Sequence, residues 1–159
     1  MASSRKPAPK PAALPPHRLD RAIPYLVARA GERMGMAFSK ELRPFKLTLN
    51  EWRACAALQG APHQRLSDLG DRIAADPSTL SRVVDGLIKR GLVKRDRSTT
   101  DARALALSLT PEGVALTEKI IPLAQLYERI ALAGISEEEA EMLRGLLARI
   151  YDNVTLIDR

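Results

Sequence analysis

Read for the spacing of its apolar side chains, the chain divides into six helical stretches and one hairpin. Ile23, Leu26, Val27, Ala30, Met34, Ala37 and Phe38 recur at three- and four-residue steps, which predicts a long amphipathic helix from about Leu19 to Leu42. Pro24 is compatible with it only near the first turn, and Pro44 marks the break that follows. Thr48 and Glu51 form a capping-box pair, in which the hydroxyl accepts from the amide three residues on and the carboxylate reaches back to the cap amide. The helix they open carries Trp52, Cys55, Ala56 and Leu58 and ends near Gly60-Ala61-Pro62. A short helix over Leu66 to Ala74 is weakly started, because Arg65 stands where a hydroxyl would cap it. Asp76-Pro77 is a strong start, an acceptor side chain followed by proline at the first helical position. That helix runs to Arg90 and stops at Gly91.

Two short segments, Leu92–Arg97 and Arg103–Leu109, come next. In the second, Leu105, Leu107 and Leu109 alternate with Ala104, Ala106 and Ser108, the pattern of a strand buried on one face. The polar run Ser98-Thr99-Thr100-Asp101-Ala102 joins them as a hairpin tip. Thr110-Pro111-Glu112 caps a further helix that contains Pro122, a candidate kink, and ends before Gly134. Ser136 and Glu139 form a second capping box, and the last helix sets Leu143, Leu146, Leu147 and Ile150 on one face. The expected organisation is an arm over residues 1–18, a mainly helical domain over 19–152 and a tail over 153–159. Within the domain, residues 48–109 make the helix-and-hairpin lobe, flanked by helices over 19–44 and 110–152.

Composition narrows the class. A chain of 159 residues that is 45% hydrophobic supports one core, and 4% aromatics leaves its packing to aliphatic side chains, which favours helices. The net charge is +6, but Arg5, Lys6, Lys10 and Arg18 carry four of those charges in the proline-rich arm and leave a body near +2. Global charge is therefore a weak argument for a polyanionic partner; the arm is either a solubilising tail or a basic strand against a nucleic-acid backbone. Cys55, alone, excludes an internal disulfide, and His17 and His63 are isolated, so neither metal nor cofactor is expected. No apolar run approaches the roughly 20 residues that cross a bilayer. The basic N-terminus has no signal-peptide core, and a cytoplasmic protein without membrane contact is expected.

The strongest chemical signal lies in the helix from Pro77. Leu80, Val83, Val84, Leu87 and Ile88 form its apolar stripe, while Ser78, Thr79, Ser81, Arg82, Asp85 and Lys89 share the other side. The second helix of a helix-turn-helix puts its N-terminal residues into the major groove. Hydroxyls there donate or accept, and an arginine bridges two guanine acceptors. The competing reading is a solvated polar face with an N-cap cluster. The hairpin directly after it brings Lys94, Arg95, Arg97 and Arg103, the makings of a wing whose stems meet phosphates and whose tip lies over the minor groove. Asp101 and Arg103, two apart, are spaced to pair and brace that tip.

These residues resemble the MarR family of bacterial transcription regulators. The likeness is carried by Leu47-Thr48-Leu49-Asn50-Glu51-Trp52-Arg53-Ala54, by Leu66-Ser67-Asp68-Leu69-Gly70-Asp71-Arg72-Ile73 and by Asp76-Pro77-Ser78-Thr79-Leu80-Ser81-Arg82-Val83-Val84-Asp85-Gly86-Leu87. Arg90-Gly91-Leu92-Val93, Asp101-x-Arg103 and Leu109-Thr110-Pro111-Glu112-Gly113 complete it, over about residues 20–152. Ala102 departs from the pattern, since that wing position is often basic, and so does Arg65. The resemblance implies a mainly α, winged helix-turn-helix homodimer with N- and C-terminal dimerisation helices. It implies a regulator, by family habit a repressor, that leaves a near-palindromic DNA operator when a small ligand binds. The residues expected on DNA are Ser78, Thr79, Ser81, Arg82, Lys89, Arg95, Arg97, Asp101 and Arg103.

The resemblance also implies a ligand crevice between the dimer helices and the DNA-binding lobe. Arg29, Arg33, Trp52 and Arg53 are the candidates for it, with an aromatic carboxylate or its CoA thioester as the expected effector, because guanidinium pairs well with carboxylate or phosphate. Arg29 as an ion-pair partner and Trp52 as a core residue stand as the alternative. Cys55 opens a redox-sensing alternative, against the reading of a buried, inert thiol. A winged helix that binds protein instead of DNA is a further one. No enzyme is expected: the sequence holds no Gly-rich phosphate loop, no Ser/His/Asp arrangement and no metal-ligand spacing.

Overall fold

The computed structural model of the protein describes residues 17–97 and 105–157. Most of the proline-rich arm, the hairpin tip with Asp101 and Arg103, and residues 158–159 lie outside them. The chain forms two units, Met1–Arg33 and Met34–Arg159. A 3-10 turn, Leu19–Arg21, precedes α1, Ile23–Glu41, and a second, Arg43–Phe45, follows it. Then come α2 (Leu49–Gly60), α3 (Leu66–Ile73), α4 (Pro77–Lys89), β1 (Val93–Arg97), β2 (Leu105–Leu109), α5 (Pro111–Ala131) and α6 (Glu137–Thr155).

Local caps set these boundaries. The Thr48 hydroxyl accepts from the Glu51 amide at 3.2 Å while the Glu51 carboxylate accepts from the Thr48 amide at 2.7 Å. Ser136 and Glu139 repeat the arrangement at α6. Arg65 supplies no side-chain cap to α3, as its chemistry requires. The first helix starts later than the apolar periodicity predicts, at Ile23 instead of Leu19. A helix continued backwards would drive the Pro24 ring into the carbonyl of Asp20, so the chain breaks at the extended Ala22. Pro122 lies inside α5, which runs without interruption from Pro111 to Ala131. The last helix continues past the expected tail boundary at residue 152, to Thr155.

In the first unit the described residues are exposed apart from the half-buried Ala22. In the second, Leu42, Leu58, Leu69, Val84, Leu87, Leu107 and Ile120 are sealed from solvent and form the centre of an aliphatic core. Phe38 joins it with ring centroids 5.9 Å from Trp52 and 5.5 Å from Tyr127. On α6, Leu143, Leu146, Leu147 and Ile150 stay exposed in the single chain.

β1 and β2 pair antiparallel, with Val93 opposite Leu109 and Arg95 opposite Leu107. Leu107 also exchanges backbone hydrogen bonds with Gln64 at 2.8 and 3.2 Å, tying the hairpin root to the segment between α2 and α3. The one-sided burial expected for the second strand does not hold, since Ala106, Leu107 and Ser108 are all buried. The register places Lys94 and Asp96 across from Ser108 and Ala106, and their ion pair, 2.8 Å long, roofs the two small side chains.

Two glycines permit close approach. A Cβ on Gly70 would stand 2.9 Å from Leu80 Cδ2, where α3 crosses α4. One on Gly113 would overlap the Leu92 carbonyl oxygen, where α5 begins against the hairpin root. Gly113→Ala must move backbone, and a loss of about 1–3 kcal/mol in stability is expected, read as a lower urea midpoint at unchanged slope.

Candidate nucleic-acid interface

The face of α4 is decided by what its other side buries. Leu80, Val84 and Leu87 are sealed in the core, so Ser78, Arg82, Asp85 and Lys89 point to solvent and Thr79 and Ser81 are half-buried. Asp76 fixes the start: one carboxylate oxygen accepts from the Ser78 and Thr79 amides, both at 3.0 Å, and from the Ser78 hydroxyl at 2.6 Å. Those hydrogen bonds hold the Asp76 carboxyl well below the usual carboxylate range. The Ser78 proton is thus committed to the cap, and its lone pairs remain for an incoming donor. Among the described residues, Arg82 and Lys89 make no side-chain hydrogen bond or ion pair. Arg82 and Lys89 therefore follow the hydroxyls of the first turns along the helix, a set that can meet base edges and phosphates.

The hairpin is pinned against this helix. Arg95 Nη2 donates to Asp85 Oδ1 at 2.8 Å, which joins β1 to the exposed side of α4. Arg95, expected as a DNA contact, thereby has an internal partner as well, a pairing hidden from the sequence because ten residues and a change of element separate the two. Lys94 lies on the opposite face of the strand with Asp96, whose carboxyl it and Ser108 hold below its ordinary value. Arg97 ends β1. The expected Asp101–Arg103 brace falls outside the described residues.

The four candidate ligand residues are distributed as follows. Arg29 and Arg33 are exposed on α1. Trp52 and Arg53 do not share a face: the indole is buried against Phe38, and the neighbouring guanidinium is exposed. A cavity of about 380 Å³ lies between the end of α2, the hairpin and α5, lined by Leu58, His63, Lys94, Ser108 and Val114 among others, and by none of the four. Cys55 is buried at 1% exposure; burial and then the nearby Glu51 carboxylate push its thiol up to about 11. No cluster of His, Cys, Asp or Glu among the described residues could hold a metal ion. No helix among them is long and apolar enough to cross a membrane.

A helix pair whose second member shows a free hydroxyl-and-arginine face, followed at once by a basic two-stranded hairpin, defines a winged helix-turn-helix DNA-binding protein. The sequence model of the MarR family matches residues 47–105. A Pseudomonas aeruginosa protein described as a probable transcriptional regulator is 37% identical, with a TM-score of 0.71 over 84% of this chain and 99% of that one. The Bordetella bronchiseptica regulator BpsR, whose DNA binding is regulated by 6-hydroxynicotinic acid, is 26% identical, with a TM-score of 0.76 over 87% and 99% of the two chains. The HTH-type transcriptional regulator MhqR of Bacillus subtilis is 29% identical over 79% of this chain and 86% of its own. The chain belongs to the MarR family, whose members are DNA-binding transcriptional regulators. They bind DNA as dimers, and some bind small-molecule ligands.

The environment of Cys55 makes its own prediction. At pH 8 the native protein should react with iodoacetamide about a hundredfold more slowly than the urea-unfolded chain, because little thiolate forms. Mass spectrometry of the time course checks it, and matching rates would return Cys55 to the list of redox-active thiols.

Proposed function

We propose that the chain is a ligand-responsive repressor that sits as a homodimer on a near-palindromic operator and leaves it when a small anionic aromatic compound, or its CoA thioester, binds. The observation that carries the reading is the exposed pair Ser78 and Arg82 on the first turns of α4, with the half-buried Thr79 and Ser81 beside them and no partner for the Arg82 side chain among the described residues. Arg82 reads a base edge and Lys89 and Arg95 meet phosphates, with Arg97, Asp101 and Arg103 as further DNA contacts in this reading. The exposed aliphatic side chains of α1 and α6, Leu26 and Val27 on one and Leu143 to Ile150 on the other, support a second copy as their cover. Two-fold pairing then sets the recognition helices one DNA turn apart, roughly 34 Å.

The effector class is supported by the exposed guanidiniums of Arg29, Arg33 and Arg53, and by the relative BpsR, which responds to a hydroxylated aromatic acid. In this reading Arg29 and Arg33 hold the acidic group.

Arg82→Ala should cut the preference for operator over scrambled duplex by roughly 10- to 100-fold, measured by fluorescence anisotropy at fixed salt. Equal weakening on both duplexes would make Arg82 a phosphate contact. In a thermal-shift screen of aromatic acids and acyl-CoAs, a compound that raises Tm should also release operator DNA, and Arg29→Ala should remove both effects. An unchanged response removes Arg29 from the site.

A further inference from the structure

Arg90 closes α4, and in the sequence it marks only the end of that helix before Gly91. Its side chain is engaged elsewhere. Nη1 donates to the Lys46 carbonyl at 2.8 Å and Nη2 to the Phe45 carbonyl at 3.2 Å. Both carbonyls belong to the tight turn that joins α1 to α2, where Lys46 takes a left-handed conformation with φ of 53°. The Glu51 carboxylate stands 3.6 Å from the same Nη1.

Glu51 is the other half of the arrangement. Its Oε2 closes the capping box on Thr48, while Oε1 faces Arg90 beside Gly86, whose missing Cβ would lie 3.6 Å from it. The Glu51 side chain is only 15% exposed, and a carboxylate so covered is costly unless paired. One side chain from α2 and one from α4 therefore meet at the turn that ends α1, and a single guanidinium satisfies two backbone carbonyls and a covered carboxylate together. Surface ion pairs contribute little. A fork from the exposed Arg90 that reaches two carbonyls and the covered Glu51 spans three elements and fixes direction as well as distance.

We propose that Arg90 is a positioning residue for DNA reading: it locks the C-terminal end of α4 to the α1–α2 turn, so that the pitch of the recognition helix follows that turn. Arg90 touches no DNA in this role. A displacement of the turn tilts α4 about its packed middle and carries the hydroxyls of its first turns out of register with the bases. Lysine cannot replace it, since an ammonium has no planar fork to divide between two carbonyls and a carboxylate. The proposal rests on α4 being the DNA-reading helix.

The test pairs DNA binding with a readout that needs no DNA. Two duplexes serve as probes, the tightest sequence that the wild-type protein selects from a random-sequence library and a scrambled version of it. Arg90→Ala and Arg90→Lys should both lose roughly tenfold of the preference for the selected sequence, while the salt dependence on the scrambled duplex stays as in wild type. A lysine variant that behaves as wild type, or a salt slope that falls by about one in Arg90→Ala, makes Arg90 a phosphate contact and overturns the proposal.

Hydrogen exchange of the free protein follows residues 43–47 and 86–92. Arg90→Ala and Glu51→Gln should each speed exchange in both segments together and leave α5 and α6 as in wild type. Acceleration in one segment alone, or in neither, overturns the coupling. Should Arg90→Ala loosen the whole fold, Arg90→Lys decides by the same comparison. A wild-type protein that selects no sequence, yet shows the two segments coupled, refutes the DNA-reading role and leaves the mechanical link standing.

Discussion

The rotation of α4 about its own axis is the constraint from which the interface follows. Leu80, Val84 and Leu87 are sealed in the aliphatic core, and burial of each contributes on the order of 1.5–3 kcal/mol. Turning the helix by one residue, about 100°, would expose that stripe and carry Ser81 and Asp85, or Thr79 and Gly86, towards the core in its place. No surface interaction matches such a penalty. The direction in which the hydroxyls and Arg82 point is thus dictated from inside the protein, before any DNA arrives. Asp76 adds the axial coordinate by fixing where the first turn begins.

The hairpin inherits its position from the same helix. Its root is held on one side by the Gln64–Leu107 backbone pair and on the other by the Asp85–Arg95 contact, so β1 cannot slide without disturbing α4. The buried Gln64 side chain extends this bracing, since its amide donates to the Ala57 and Ala61 carbonyls at the end of α2. Within the second unit, α4 and the hairpin root are thus joined by direct side-chain and backbone contacts.

Features that depend on neighbours in sequence were legible from the sequence itself. The capping boxes at Thr48 and Ser136, the Asp76-Pro77 start, the missing cap at Arg65 and the left-handed Gly91 all rest on chemistry within a few residues. So did the polar face of α4, because a helix of known period with a known buried stripe leaves only one outward side. What escaped was set by partners far along the chain. Ser108 and Ala106 look like solvent-facing strand positions until the register brings Lys94 and Asp96 over them. Arg90 marks only the end of a helix until the fold delivers carbonyls from residues 45 and 46 to its side chain. Trp52 and Arg53 are adjacent in sequence, and the helix sends one inward and the other to solvent.

The contact at Gly113 has a consequence for sequence drift. The atom that a side chain there would strike is a main-chain carbonyl oxygen, common to all twenty amino acids, and Thr117 uses the Gly113 carbonyl in turn as a hydrogen-bond acceptor. A crowded side chain can be trimmed by a second mutation; a peptide group cannot. The site where α5 leaves the hairpin is therefore closed to compensated exchange, and its occupant is inherited unchanged or the junction is rebuilt.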